Sequence, residues 1–290
     1  MKNIITCRIK LLIVVSGFMT LVGSCSQDLI RDAAYPEQLI YMPTATYNNY
    51  TIDVVPRALG SDPTPGFPTR FTTDTVARKF NVLLAAYRSG IDMKGAFTVD
   101  VKINTDTITK LLAIAGQLPL GTLPVGTHPL PADKFTLPAT TQMLDGQDIA
   151  KCDMAVDLDF LRNNYQAPPG GQLYAVAVTV SSTARKTNPK FATTIIVINT
   201  KIMKPTAGFT TTALVTNPKI INFTNTSVSG VKFIWNFGDG TPVKITTTTV
   251  NETLFSHTYS AAGTYNCTLT TIGVGGYVDR SVITKAQVVL

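Results

Sequence analysis

The segment Phe97-Thr98-Val99-Asp100-Val101-Lys102-Ile103 alternates apolar and polar side chains without a break, a period of two that fits a β-strand with one buried face. In a helix the same apolar groups would be scattered around the axis. Similar signals recur along the chain. The first apolar strand runs from Gln38 to Met42, Phe80, Val82 and Leu84 line another, and Leu173 to Ser182 and Ala192 to Asn199 form two apolar strands. Cys152, Met154, Val156, Leu158 and Phe160 alternate with Asp153, Ala155, Asp157 and Asp159, which reads as one more strand. Turn residues such as Pro168-Pro169-Gly170-Gly171 separate these runs. Only one segment has a helical period: Ile108, Leu111, Leu112 and Ala115 share a face, Asn104 or Thr105 can cap it, and Gly116 ends it. The stretch from Gln117 to Ala139 is rich in Pro and Gly and reads as a long surface connection, interrupted by Asp133 to Leu137. The expected class is all-β with one short helix in the first domain.

The opening residues set the cellular address. Lys2, Arg8 and Lys10 are followed by an almost wholly apolar run from Leu11 to Val22, too short to span a bilayer comfortably as a helix, which needs about 20 residues. The run ends in Gly23-Ser24-Cys25, small residues before a cysteine, which is the pattern of a lipoprotein signal. Residues 1–24 are therefore expected to be removed and Cys25 to become an acylated N-terminus. Several acyl chains on one residue give stable anchoring, since each buried methylene contributes roughly 0.8 kcal/mol. Residues 25–36 read as a lipidated tether, 37–203 as a first sandwich domain and 204–290 as a second, with the boundary at Lys204-Pro205-Thr206. Asp28 stands clear of the position beside Cys25 associated with inner-membrane retention, so the outer membrane is the expected location, facing the cell surface or the periplasm.

Little in the composition points to chemistry. Losing three of the 25 basic residues and none of the 18 acids leaves the mature chain at a net charge of +4, and no Lys/Arg run tracks a phosphate backbone. No nucleic-acid partner is expected. Cys152 and Cys267 remain far apart and do not form a disulfide framework. The chain has only two histidines, His128 and His257, and neither has a catalytic context. Asp153, Asp157 and Asp159 fall on one face of their strand, where carboxylates would suit calcium, but the uniformly apolar opposite face favours a solvated role. No zinc spacing, phosphate loop or serine elbow is present. The chain is expected to be no enzyme, with no cofactor or metal. Tyr47-Asn48-Asn49-Tyr50 sets aromatic rings beside amides, the chemistry that binds sugars, although turn and strand packing explains it as well.

Two resemblances add to this reading. Ile40-Tyr41-Met42-Pro43, Phe97-Thr98-Val99-Asp100-Val101, Phe135-Thr136-Leu137, the Gly146 turn and Tyr174-Ala175-Val176-Ala177-Val178-Thr179 occur in an order similar to a family of unknown function. That family occupies the N-terminal half of surface lipoproteins in glycan-degrading Gram-negative, Bacteroidetes-type bacteria, and the resemblance implies an immunoglobulin-like sandwich. Further on, Trp235-Asn236-Phe237-Gly238-Asp239-Gly240-Thr241, His257-Thr258-Tyr259 and Gly263-Thr264-Tyr265 resemble a polycystic-kidney-disease-type (PKD) domain over about residues 204 to 290. Asn236 stands where that family usually has an acid, and Cys267 where it has an aliphatic residue. The PKD resemblance implies that Trp235, Phe237, Gly238, Asp239, Gly240, His257, Tyr259, Gly263 and Tyr265 are structural. Together the features imply a non-catalytic surface lipoprotein that binds or presents glycan in a polysaccharide-uptake assembly, or alternatively an adhesive or structural stalk contacting other surface proteins.

Overall fold

The structure is a computed structural model that describes residues 37–55, 70–91, 93–117, 123–165, 171–248 and 254–290. The signal peptide, Cys25, the tether and Pro168 to Gly170 lie outside the described residues. Residues Gln38–Leu290 form one compact unit, and it is an all-β fold of two immunoglobulin-like sandwiches.

In the first sandwich the largest sheet has the order Tyr50–Ile52, Thr193–Asn199, Leu173–Ser181, Phe97–Ile103 and Thr140–Met143, with Thr127–Pro129 pairing alongside the third of these. Opposite it lie two four-stranded sheets, one centred on Ala85–Arg88 and Leu39–Tyr41, the other on Lys79–Val82 and Met154–Asp157. Val99, Val101, Val176, Val178, Ile196 and Ile198 enter the core between them. The reverse face of Leu173–Ser181 is covered as well: Ala175, Ala177 and Val197 pack with Ile108 of helix α1 (Thr105–Ala113) and with Leu123. A strand buried on both faces carries a near-continuous apolar run, which explains why this segment does not alternate.

Helix α1 starts where expected, with the Asn104 side chain accepting the Thr107 backbone N–H at 3.0 Å, and Gly116 follows it at φ +79°. The expected alternation of Phe97 to Ile103 holds for three inward residues, whereas Ile103 at the strand end is exposed. Two sequence expectations are corrected. The strand expected from Cys152 to Phe160 stops at Asp157, and Leu158–Asn163 form a second helix, α2. Among the described residues the first domain therefore has two α-helices rather than one. Asp157 causes the change by capping α2, accepting the backbone N–H groups of Asp159 and Phe160 at 2.9 and 3.1 Å. The stretch expected as a surface connection also contributes to the core, burying Leu123 and Leu130.

Arg88 is a buried charge that, among the described residues, is held by backbone carbonyls rather than by a carboxylate. Its guanidinium donates to the carbonyls of Gln147, Lys94, Gly95, Met93 and Leu144, so the rigid fork of donors is satisfied by loop backbone alone.

The second sandwich pairs a three-stranded sheet (Phe209–Leu214, Asn217–Asn225, Leu254–Thr258) with a four-stranded one ordered Lys244–Thr247, Gly230–Asn236, Gly263–Gly273 and Gly276–Val289. Trp235 fills the space between them, with edge contacts to Phe209, Phe223 and Phe255 at centroid separations of 5.4, 5.9 and 5.0 Å. Its indole N–H donates to Thr246 Oγ1 at 3.3 Å. Cys267 is a buried member of this core, and burial pushes its thiol up to about 12.

Candidate functional site

The Gly-Asp-Gly corner is built for shape. Gly238 and Gly240 adopt φ +80° and +84°, and a Cβ on Gly238 would lie 2.5 Å from the Asn266 carbonyl oxygen. Asp239 accepts the Thr241 N–H and hydroxyl at 3.1 and 2.6 Å. His257 Nε2 lies 2.7 Å from the other Asp239 oxygen. Burial pushes the Asp239 carboxyl up, yet the hydrogen bonds from Thr241 and His257 outweigh it and hold the group below its ordinary value. The imidazole is stacked on Phe237 at 3.8 Å and meets Tyr259 edge-on at 4.7 Å. The Tyr259 hydroxyl donates to the Phe237 carbonyl, and its ring stacks on Tyr265, which follows Gly263. Asp239, His257 and Tyr259 are thus tied to one another and to the backbone of the corner. Gly238→Ala meets both a backbone clash and a positive φ, so a loss of about 2 kcal/mol is expected, to be read as a lower midpoint in chemical denaturation.

The candidate sugar-binding quartet is not gathered into an open face. Tyr50 is 0% exposed, Tyr47 and Asn49 are half-buried and only Asn48 is exposed. One guanidinium, that of Arg70, lies 5.6 and 5.3 Å from the Tyr47 and Tyr50 ring centroids. The aspartates likewise separate rather than share a strand face. Asp153 accepts the Leu84 N–H, Asp157 caps α2, and Asp159 lies between Arg78 and Arg162. Among the described residues no cluster of acids, His or Cys is placed to hold a metal ion. His128 is exposed on the strand Thr127–Pro129, 6.1 Å from the Tyr174 ring. The Cys152 thiol is buried and pushed up to about 12 by that burial, the opposite of an activated nucleophile.

The arrangement with the most unusual geometry was not singled out by its sequence: the junction of the two sandwiches. The hairpin joining Gly263–Gly273 to Gly276–Val289 sends Val274 into the first sandwich's core, where it is 1% exposed. A Cβ on the adjoining Gly275 would overlap Asp279 at 1.8 Å and touch Arg162 Cδ at 3.0 Å. Arg162 on α2 grips Asp279 with both arms of its fork, at 2.5 and 2.7 Å, and donates to Asp159 at 3.0 Å. Arg78 pairs with Asp159 from the other side and reaches the Gly275 carbonyl at 3.4 Å. The connection itself is pinned, since Ile202 and Met203 are buried in the first core and Thr206 bridges to Val228. The hydrogen bond from Arg78, then that from Arg162, hold the Asp159 carboxyl near about 2. The ordinary aspartate value is about 3.9, so the stabilisation from this network is complete above that pH and is lost as the pH falls through about 2. A thermal midpoint that falls across this window more steeply in the native chain than in Asp159→Asn is the expected result.

Two clefts flank this junction, of about 280 and about 370 Å³. Tyr165 and Lys204 line both. Arg280 borders the first and Lys201 the second, the latter paired with Asp53 at 3.0 Å. The Lys204 ammonium sits 5.0 Å from the Tyr165 centroid, and the Arg280 guanidinium 4.6 Å from that of Tyr277.

Comparison with known proteins identifies part of this architecture. A search of curated proteins finds no match. Among solved structures, the PKD1 domain of the Vibrio cholerae metalloprotease PrtV is 27% identical, covering 30% of this chain and 96% of that one, with a TM-score of 0.24. A candidate carbohydrate binding protein from Bacteroides ovatus is 8% identical, covering 86% of this chain and 70% of its own, at a TM-score of 0.34. An auxiliary nutrient binding protein from Bacteroides thetaiotaomicron is 16% identical, covering 81% of this chain and 63% of its own, at a TM-score of 0.33. The PKD domain family model matches residues 203–288, the segment that holds the Trp235 core and the Gly238 corner.

Proposed function

We propose that this chain is a non-catalytic cell-surface lipoprotein, held in the outer membrane by lipid on Cys25, that binds or presents glycan within a polysaccharide-utilisation assembly. The observation that carries the reading is the junction: Val274 and the Arg162–Asp279 pair lock the two sandwiches together, giving the clefts beside Tyr165 and Lys204 fixed walls. Preformed concave sites with a few placed polar groups are where ligands bind. The order of motifs in the N-terminal half and the Gly23-Ser24-Cys25 signal support the same reading. Titrating the purified chain with a panel of neutral and acidic polysaccharides tests it. Saturable binding to at least one polymer is expected, and flat titrations throughout would refute it. In cells, a Cys25→Ala chain should be left unprocessed or released from the membrane, and normal anchoring of that variant would contradict the lipid assignment.

A second reading has its own support. The strand Gly276–Val289 lies at the edge of its sheet and exposes Tyr277, Val278 and Val282, a surface suited to protein contact. If the chain is instead a structural arm of a larger assembly, cross-linking on intact cells should capture a protein neighbour through this strand, with soluble sugars having no effect.

A further inference from the structure

We infer that the junction clefts select an acidic saccharide, recognising its carboxylates through Lys204 and Arg280. This deepens the glycan-binding reading and rests on it. Neutral sugars are commonly held by stacking on an open aromatic face, and the aromatic groups here are arranged differently. Lys204 lies over the Tyr165 ring and Arg280 over the Tyr277 ring, so what the clefts present is a cation pinned by an aromatic ring rather than a bare platform. The other charges at the junction are already neutralised. Arg162 is gripped by Asp279 and Asp159, and Lys201 is paired with Asp53. Among the described residues Lys204 and Arg280 have no acidic partner, and they carry the positive charge that is left over for a ligand. Arg280 offers a planar fork that matches a carboxylate, while Lys204 supplies a point charge with three donors. The clefts are each near the lower end of ligand-pocket sizes, roughly 300 Å³, which suits one or two sugar units apiece. Because Tyr165 and Lys204 line both clefts, a chain passing from one to the other would meet Lys204 at its middle.

The test compares polygalacturonate, its fully methyl-esterified form and neutral dextran on the purified chain. Binding to polygalacturonate should weaken by about tenfold or more for the methyl ester and for the double variant Lys204→Ala/Arg280→Ala. A control variant at two remote exposed lysines, Lys102→Ala/Lys110→Ala, should bind as the native chain does, which separates site recognition from general charge attraction. Far-ultraviolet circular dichroism of each variant establishes that it is folded. Polygalacturonate binding that is equal in the native chain and the Lys204/Arg280 variant would overturn the inference. So would dextran binding without polygalacturonate binding, which leaves the broader glycan reading standing. Failure of every polymer to bind would remove both.

Discussion

A Val274→Asp chain is expected to fold both sandwiches but lose their docking. Val274 is 1% exposed and sits in the core of a domain other than its own. A carboxylate there must either remain buried without a partner, be protonated, or pull the hairpin tip out. Each route costs about 3 kcal/mol or more. Expulsion is the cheapest, because the tip is a hairpin end whose own strand pairing continues on both sides, from Gly263↔Val289 to Gly273↔Gly276. Once the tip leaves, Arg162 and Asp279 are carried apart as well. Calorimetry should show two separated unfolding transitions in place of coupled melting, and small-angle scattering a larger radius of gyration. One unshifted transition with unchanged scattering would mean that the tip does not join the domains.

Trp235→Ala is expected to unfold the second sandwich selectively. Trp235 is fully buried and its ring meets three other aromatic rings, so truncation costs about 3 to 5 kcal/mol. That is most of the stability of a small sandwich. Cys267 supplies a local reporter: it is buried in the same core, whereas Cys152 lies buried in the other. A thiol reagent should therefore modify Cys267 rapidly in the variant while Cys152 stays protected. Equal protection of both would show that the aromatic cluster repacks without Trp235.

The sequence makes some of this structure readable and hides the rest for identifiable reasons. Alternation locates Phe97–Ile103 and Lys79–Val82 because each has one buried face, and the glycines at 238 and 240 announce a corner because positive φ values demand them. Helix α2 was hidden by coincidence. Leu158 and Phe160 continue the period of Met154 and Val156, although Asp157 as a cap, Asp159 in the first turn and Arg162 in the last form a helix signature that outweighs it. The quartet Tyr47 to Tyr50 shows the opposite error, since aromatic and amide identity says nothing of burial, and Tyr50 belongs to the core. The junction was the least legible part. Gly273-Val274-Gly275-Gly276 reads locally as an ordinary turn, and Arg162 and Asp279 are 117 residues apart. Arg88 reads as an ordinary strand-end cation, and its buried role emerges only when five loop carbonyls converge on it.

The binding surface we propose is the docked junction rather than either sandwich alone. The most direct measurement is the affinity of the Val274→Asp chain for whichever polysaccharide the native chain binds. With both sandwiches folded but undocked, the clefts beside Tyr165 and Lys204 lose one wall, and binding should fall by about tenfold or more. An undocked chain that binds as tightly as the native one would contradict the claim and place the site within a single sandwich.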